Sequence, residues 1–345
     1  MKRFLRRLLP LVCLAPLAAV QAAGTPHYRI THQLPLPGDE GWDYLIYQQG
    51  GHRLFVSHGT RVLVIDADKL SVVGEIADTP GVHGIALAPE LNRGYVSAGR
   101  SGMVVVFDLT SLARLSEIKV TGENPDAILY DPYSRRVFTF NGRGRNATAI
   151  DATTGQVLGT IALDAKPEFS ATDGKGHVYV NLEDRSSLAV LDPQKLTVTS
   201  VWPLTGCEQP SGLALDAARG HLMPVCGNKV MPVVDAASGK VLGTAPIGAG
   251  PDAAAFDPGT ELAFAACGEG KLTVVHIARS GRPEVVQNAT TQRGARTMAL
   301  DLEKHRVFSI TADFAPAPPA TAEQPHPRPA IVPGSVRLLV LETDS

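Results

Sequence analysis

The sequence predicts an all-β fold, a seven-bladed β-propeller of four-stranded antiparallel blades whose N-terminal strand closes the last blade. Two observations carry this. A unit of about forty residues recurs seven times along the 345-residue chain, a period that belongs to propellers and other repeat arrays. Each copy also consists of short β-branched and aromatic runs separated by Gly, Pro, Asp and Asn, which read as strands joined by tight turns.

The innermost strands open on Trp42-Asp43-Tyr44, Val82-His83-Gly84, Pro125-Asp126-Ala127, Pro167-Glu168-Phe169, Pro210-Ser211-Gly212, Pro251-Asp252-Ala253 and Ala295-Arg296-Thr297. Steps between the central residues of these triplets are 40, 43, 42, 43, 41 and 44. Five positions on, five units place an aspartate: Asp131, Asp173, Asp216, Asp257 and Asp301. A second strand follows, as in Leu54-Phe55-Val56-Ser57 or Val178-Tyr179-Val180-Asn181, and then a third that usually ends on an acid, as in Val64-Ile65-Asp66 and Val106-Phe107-Asp108. Turns such as Thr153-Thr154-Gly155 lead into a fourth. The seventh unit stops at Leu338-Leu339-Val340-Leu341, while a lone strand, 27–34, precedes the first unit. That strand is expected to become the outer strand of the last blade, which also protects an edge.

Composition agrees with a turn-rich globular chain: 33 Gly, 26 Pro, 44% hydrophobic and 19% charged residues. One domain over 23–345 is expected, because a closed ring cannot be divided without exposing its blades. Residues 1–22 read as a signal peptide, with Lys2, Arg3, Arg6 and Arg7 before an apolar core and Val20-Gln21-Ala22 as a small-residue cleavage site. Periplasmic export follows. Cys13 is preceded by bulky Val12, which speaks against a lipid anchor, so no membrane anchor is expected.

Without the four basic residues of the leader the chain carries 28 basic and 34 acidic groups, a formal charge of −6. Nothing in this balance attracts nucleic acid or anionic lipid. Cys207 and Cys226 fall on one face of the fifth blade and are expected to form a disulfide in an oxidising compartment, whereas Cys267 reads as a buried thiol.

The motifs Tyr95-Val96-Ser97, Val178-Tyr179-Val180-Asn181, Val64-Ile65-Asp66 and Asp151-Ala152-Thr153-Thr154-Gly155-Gln156-Val157 resemble the YVTN repeat family, the YncE-like secreted or periplasmic propellers of bacteria and archaea. The resemblance extends over essentially the whole mature chain. It implies the seven-bladed ring and the periplasmic setting but no shared catalytic motif. The Asn closing the family's repeat survives only as Asn141 or Asn181; His58, Cys226 and Cys267 replace it elsewhere.

Asp43, His83, Asp126, Glu168, Ser211, Asp252 and Arg296 should converge on the mouth of the central channel and form the ligand-binding ring. Four carboxylates ~8 Å apart at an effective dielectric of ~20 repel by about 2 kcal/mol per pair. A cation, Arg296, protonated His83 or water must offset this. Asp126, Glu168, Asp252 and His83 are the candidate ligands of a divalent cation such as calcium or zinc; the bland alternative has these acids bonded to neighbouring backbone and wetting the channel.

Loops on the same face carry Arg61, Arg100, Arg143, Arg145, Arg185, Lys229 and Lys271, an outer basic rim that suits an anionic or zwitterionic ligand or is simply solvated. The last blade breaks the repeat with a Pro-rich insertion over 312–335, either a cover for the mouth, a peptide offered to a partner, or a solvent loop. Asn146 and Asn288 head glycosylation sequons that read as chance. No G-x-S-x-G, H-E-x-x-H, Walker loop, Cys-x-x-Cys or haem-attachment motif occurs.

The expectation is a monomeric periplasmic scaffold that binds a small ligand or a periplasmic protein at the channel mouth, with no catalytic residues and no obligate cofactor. The alternative is a metal-dependent, lactonase-like hydrolase that uses the acidic ring. An accessory of periplasmic electron transfer is a third and weaker reading, since the sequence offers no cofactor ligand set.

Overall fold

The computed structural model describes residues 27–319, Pro327 and 329–343. The leader peptide expected at 1–22 lies outside the described residues, as do 320–326 and Arg328 of the Pro-rich insertion. Twenty-eight strands form seven four-stranded antiparallel sheets, with no α-helix among the described residues and two short 3-10 turns at Pro89–Leu91 and Glu183–Arg185.

Blades 1 to 6 occupy 42–76, 82–119, 125–162, 167–203, 210–246 and 251–290, each with its strands in sequence order from the axis outward. Blade 7 combines Met298–Asp301, Arg306–Thr311 and Arg337–Thr343 with Tyr28–Pro35 as its outermost strand. The ring is thus closed by pairing first with last, from Tyr28 opposite Thr343 to Pro35 opposite Arg337.

The closing strand also grips its neighbour. Tyr28 is 1% exposed and meets Phe264 edge-on at 5.1 Å, while its backbone exchanges two hydrogen bonds with the Gln287 amide at 2.7 and 2.8 Å.

No blade owns a core. Seven clusters of buried apolar residues occur, and each joins two consecutive blades: Phe55, Val64, Val96 and Phe107 between blades 1 and 2, for example, and Leu54, Ile65, Phe308 and Val340 between 7 and 1. This explains why the middle strands are unbroken apolar runs: both faces are covered, whereas the alternation of a half-buried strand is clear in outer strands such as Thr197–Pro203.

The face opposite the channel mouth is bolted by charge. Asp66, Asp108, Asp151, Asp192 and Asp235 end the third strands, and one oxygen of each accepts from the backbone N–H groups two and three residues on. These bonds, with the Ser238 hydroxyl as the larger cause at Asp235, hold all five carboxyls below their usual range. Arginines at the start of second strands then cross to the next blade: Arg93 donates to the Ala152 carbonyl at 3.0 Å, Arg136 to Gln194 at 2.8 Å and Arg306 to Ala67 at 3.1 Å. Arg306 is buried against the equally buried Asp301, 2.8 Å away.

Candidate functional site at the channel mouth

One local irregularity places the ring residues. In blades 1 to 5 the pairing of inner and second strands slips so that two inner residues face one partner: Asp43 and Tyr44 face Ser57, His83 and Gly84 face Ser97, Asp126 and Ala127 face Phe140. Glu168 and Phe169, then Ser211 and Gly212, repeat this, and in blade 6 Asp252 alone is the extra residue. A β-bulge re-aims a side chain, and here it releases each ring residue from the pleat.

Groups on the second strands fasten the bulges across blades. Ser57 donates to the His83 carbonyl and Ser97 to that of Asp126; Asn181 reaches the carbonyls of Ser211 and Gly212 at 2.8 and 3.0 Å. Glycine follows the ring residue in blades 2 and 5 because the next inner strand passes close by. A Cβ at Gly212 would lie 2.4 Å from the Asp252 carbonyl oxygen, and one at Gly84 would lie 2.9 Å from that of Asp126.

In blades 1 and 4 the same position is aromatic. Tyr44 and Phe169 come from opposite sides of the ring and stack at 4.4 Å, with their planes 18° apart. They floor the mouth under the charged residues, so the ring lines a cup.

Within the cup the ring divides into three charged groups. His83 Nδ1 lies 2.7 Å from Asp43 and 3.6 Å from Asp126. Glu168 is held by Lys166 at 2.7 Å, and Lys166 also reaches Glu183. Asp252 pairs with Arg296 Nε at 2.7 Å. Ser211 belongs to none of these; its hydroxyl donates to the Pro251 carbonyl at 3.2 Å. In blade 7, Arg296 precedes the short inner strand rather than opening it.

The structure brings only part of the expected ligand set together. Of Asp126, Glu168, Asp252 and His83, only His83 and Asp126 approach one another, because Lys166 and Arg296 occupy the other two. Asp43 completes the cluster in their place, and one ligand atom from each of Asp43, His83 and Asp126 lies within 4.8 Å of the others. Lys166 was the functional residue that the sequence reading missed; its only signal is a basic residue immediately before the Pro167-Glu168 pair.

Burial governs the protonation of this cup. It pushes Asp126 up to about 6, helped by Asp43 and Asp252 and opposed by His83 and Lys166. Glu168 rises to about 7, since burial and the Asp126 charge outweigh its bond to Lys166. Asp252 is raised by burial despite Arg296. His83 is also raised: burial disfavours its charge, but the Asp43 hydrogen bond and the surrounding carboxylates prevail. Ring side chains remain reachable, from 15% exposed for Glu168 to 44% for Arg296.

The Pro-rich insertion stands beside the cup. Phe314 pairs with Ile331, and Ala315 donates to Ala330. Phe314 also packs on Trp42 at 6.2 Å and lines, with Arg296, Pro329 and Ile331, a recess of about 350 Å³. Cys207 and Cys226 are joined as a disulfide beside blade 5, with Cα atoms 5.4 Å apart. Cys267 is free and buried, and burial pushes its thiol up to about 11.

No family model matches the sequence, and no curated protein matches it. Solved structures do match in fold. A chain from the crystal structure of a mitotic checkpoint complex superposes with a TM-score of 0.75 at 14% identity, over 99% of this chain and 99% of that one. The structure of U3-55K gives 0.72 at 7% identity, over 90% of this chain and 98% of that one. At such identities the likeness shows the seven-bladed propeller fold alone.

Proposed function

We propose that this protein is a monomeric periplasmic binding propeller of the YVTN, YncE-like kind, which holds a small ligand or a protein partner at the channel mouth. The observation that supports this most is the cup itself: six bulged strands direct charged or polar groups over an aromatic floor, and two carboxyls there have affinities for protons near neutrality. Carboxyls raised by burial are typical of binding sites, whereas those of the opposite face are held low by hydrogen bonds to their own turns. The mitotic checkpoint neighbour, taken from a multiprotein assembly by its description, fits a propeller used as a platform.

A second reading, the metal-dependent hydrolase, draws on the Asp43, His83 and Asp126 cluster. One imidazole and two carboxylates suit zinc or manganese better than calcium, which takes six to eight oxygens. A cation held there would act as a Lewis acid and lower the pKa of a bound water.

Elemental analysis of protein purified without chelator separates the two. Absence of stoichiometric metal supports the binding propeller; one metal per chain, lost in Asp43→Asn/Asp126→Asn, moves the assignment to the hydrolase. The binding reading is then tested directly by a thermal-shift screen of small metabolites. Ligands should raise the midpoint of the wild type and not of Glu168→Gln/Asp252→Asn, and an identical response from both would sink the channel-mouth assignment.

A further inference from the structure

Most cations of the mouth face are paired, and of those without an ion pair among the described residues, Arg185 and Lys229 stand apart on blades 4 and 5. Arg61 lies beside Glu40 and Glu75, Arg145 is paired with Asp184 at 2.7 Å, Lys271 with Glu269 at 2.9 Å, and Lys166 and Arg296 serve the ring carboxylates. Arg100 and Arg143 have no ion pair and no side-chain hydrogen bond among the described residues. Lys119 touches only the Ser101 carbonyl, at 3.1 Å.

These last three cations line one recess of about 700 Å³ between blades 2 and 3, with His83 at its inner edge. Its walls include Gly81, Gly99, Gly102 and Gly122, so little side-chain bulk fills it. Among the described residues, the only carboxylate lining it is the exposed Glu123.

Three cations facing one acid is an unbalanced arrangement in a chain whose acidic residues outnumber its basic ones. All three are exposed, so water screens their mutual repulsion, and an anion gains most where more than one of them can reach it in the recess. Guanidinium groups present paired donors that match a carboxylate or a phosphate, and a glycine-lined wall lets such a group come close.

We infer that the recess between blades 2 and 3 is an anion subsite, in which Arg100, Arg143 and Lys119 hold the carboxylate or phosphate of a small solute whose remainder extends past His83 into the cup. The subsite rests on the channel-mouth reading of function and gives it a ligand class. The acidic groups around His83 then favour a hydrogen-bond donor or cation at the ligand's other end. An anion placed over the ring itself would meet Asp43 and Asp126.

The test is calorimetric titration of the purified protein with inorganic phosphate and, separately, with succinate, at low ionic strength. At least one probe should bind saturably at one site per chain, and which of them binds tells phosphate from carboxylate. Arg100→Gln/Arg143→Gln should weaken that binding by about tenfold or more, while Arg185→Gln/Lys229→Gln, which removes two unpaired rim cations elsewhere, should change it by less than about twofold.

No saturable binding of either probe overturns the inference. So does an equal loss in both double variants, which would mark a diffuse field in place of a site. These probes leave the ring carboxylates intact, so failure here does not decide the channel-mouth reading, whose own test uses Glu168→Gln/Asp252→Asn.

Discussion

Asp126 and Asp151 are the same residue type 25 positions apart in one blade, yet their environments drive them in opposite directions. Asp151 accepts backbone hydrogen bonds at an exposed turn and is held low, whereas Asp126 is pushed up to about 6 in the cup. A carboxyl raised in the folded state binds its proton more tightly there than in the unfolded chain. Its contribution to stability is therefore lost as pH rises from the unfolded range near 4 through about 6 for Asp126 and about 7 for Glu168. Urea unfolding of Asp126→Asn should show a stability relative to wild type that grows between pH 4 and pH 7, on the order of 2 kcal/mol. A flat difference would mean that the Asp126 carboxyl is not perturbed. The repeat showed where such residues sit, but Asp126 and Asp151 are both strand-terminal acids; only the neighbours contributed by other blades distinguish them.

Among the elements, the bulged inner strand matters most to the site. Its tight approach to the next blade is testable at Gly212, where a methyl group would enter the Asp252 carbonyl. Gly212→Ala should cost about 1–3 kcal/mol through overpacking, read from the denaturation midpoint. The aromatic floor is a second element-scale device. Phe169→Ala removes one half of the Tyr44 stack and should lower stability by about 2 kcal/mol, less than a fully buried Phe because the ring is only partly covered. The inter-blade arginines make a third. Arg306→Ala leaves Asp301 buried without its partner and should cost about 3–5 kcal/mol, whereas an exposed pair such as Lys69 with Asp66 should be nearly silent. The sequence pattern located every second and third strand, because unbroken apolar runs follow from burial on both faces. It did not locate the bulges: a register slip of one residue leaves no mark in composition.

For the whole molecule the issue is closure. Each cluster of buried residues is shared by two blades, so the ring stands or falls at its seam, where Tyr28 locks the first strand onto blade 6. Tyr28→Ala should destabilise by about 3–5 kcal/mol and bare the edge of Arg337–Thr343, seen as a lower midpoint together with concentration-dependent association. The Cys207–Cys226 bridge spans 19 residues, and by loop-closure entropy its removal in Cys207→Ala/Cys226→Ala should cost about 3 kcal/mol.

The period of the repeat and the closing strand were legible in the amino-acid sequence, since they depend on spacing along the chain and on which strand lacks a partner. Which ring groups meet, His83 with Asp43 and Asp126, Lys166 with Glu168, Arg296 with Asp252, was decided by the tertiary structure. So were the stacked floor of Tyr44 and Phe169 and the unpaired state of Arg100 and Arg143. Apart from Lys166 and Glu168, which are two positions apart, these are relations between blades, among residues some forty or more positions apart, and their energies depend on distances and burial that arise only when the ring closes.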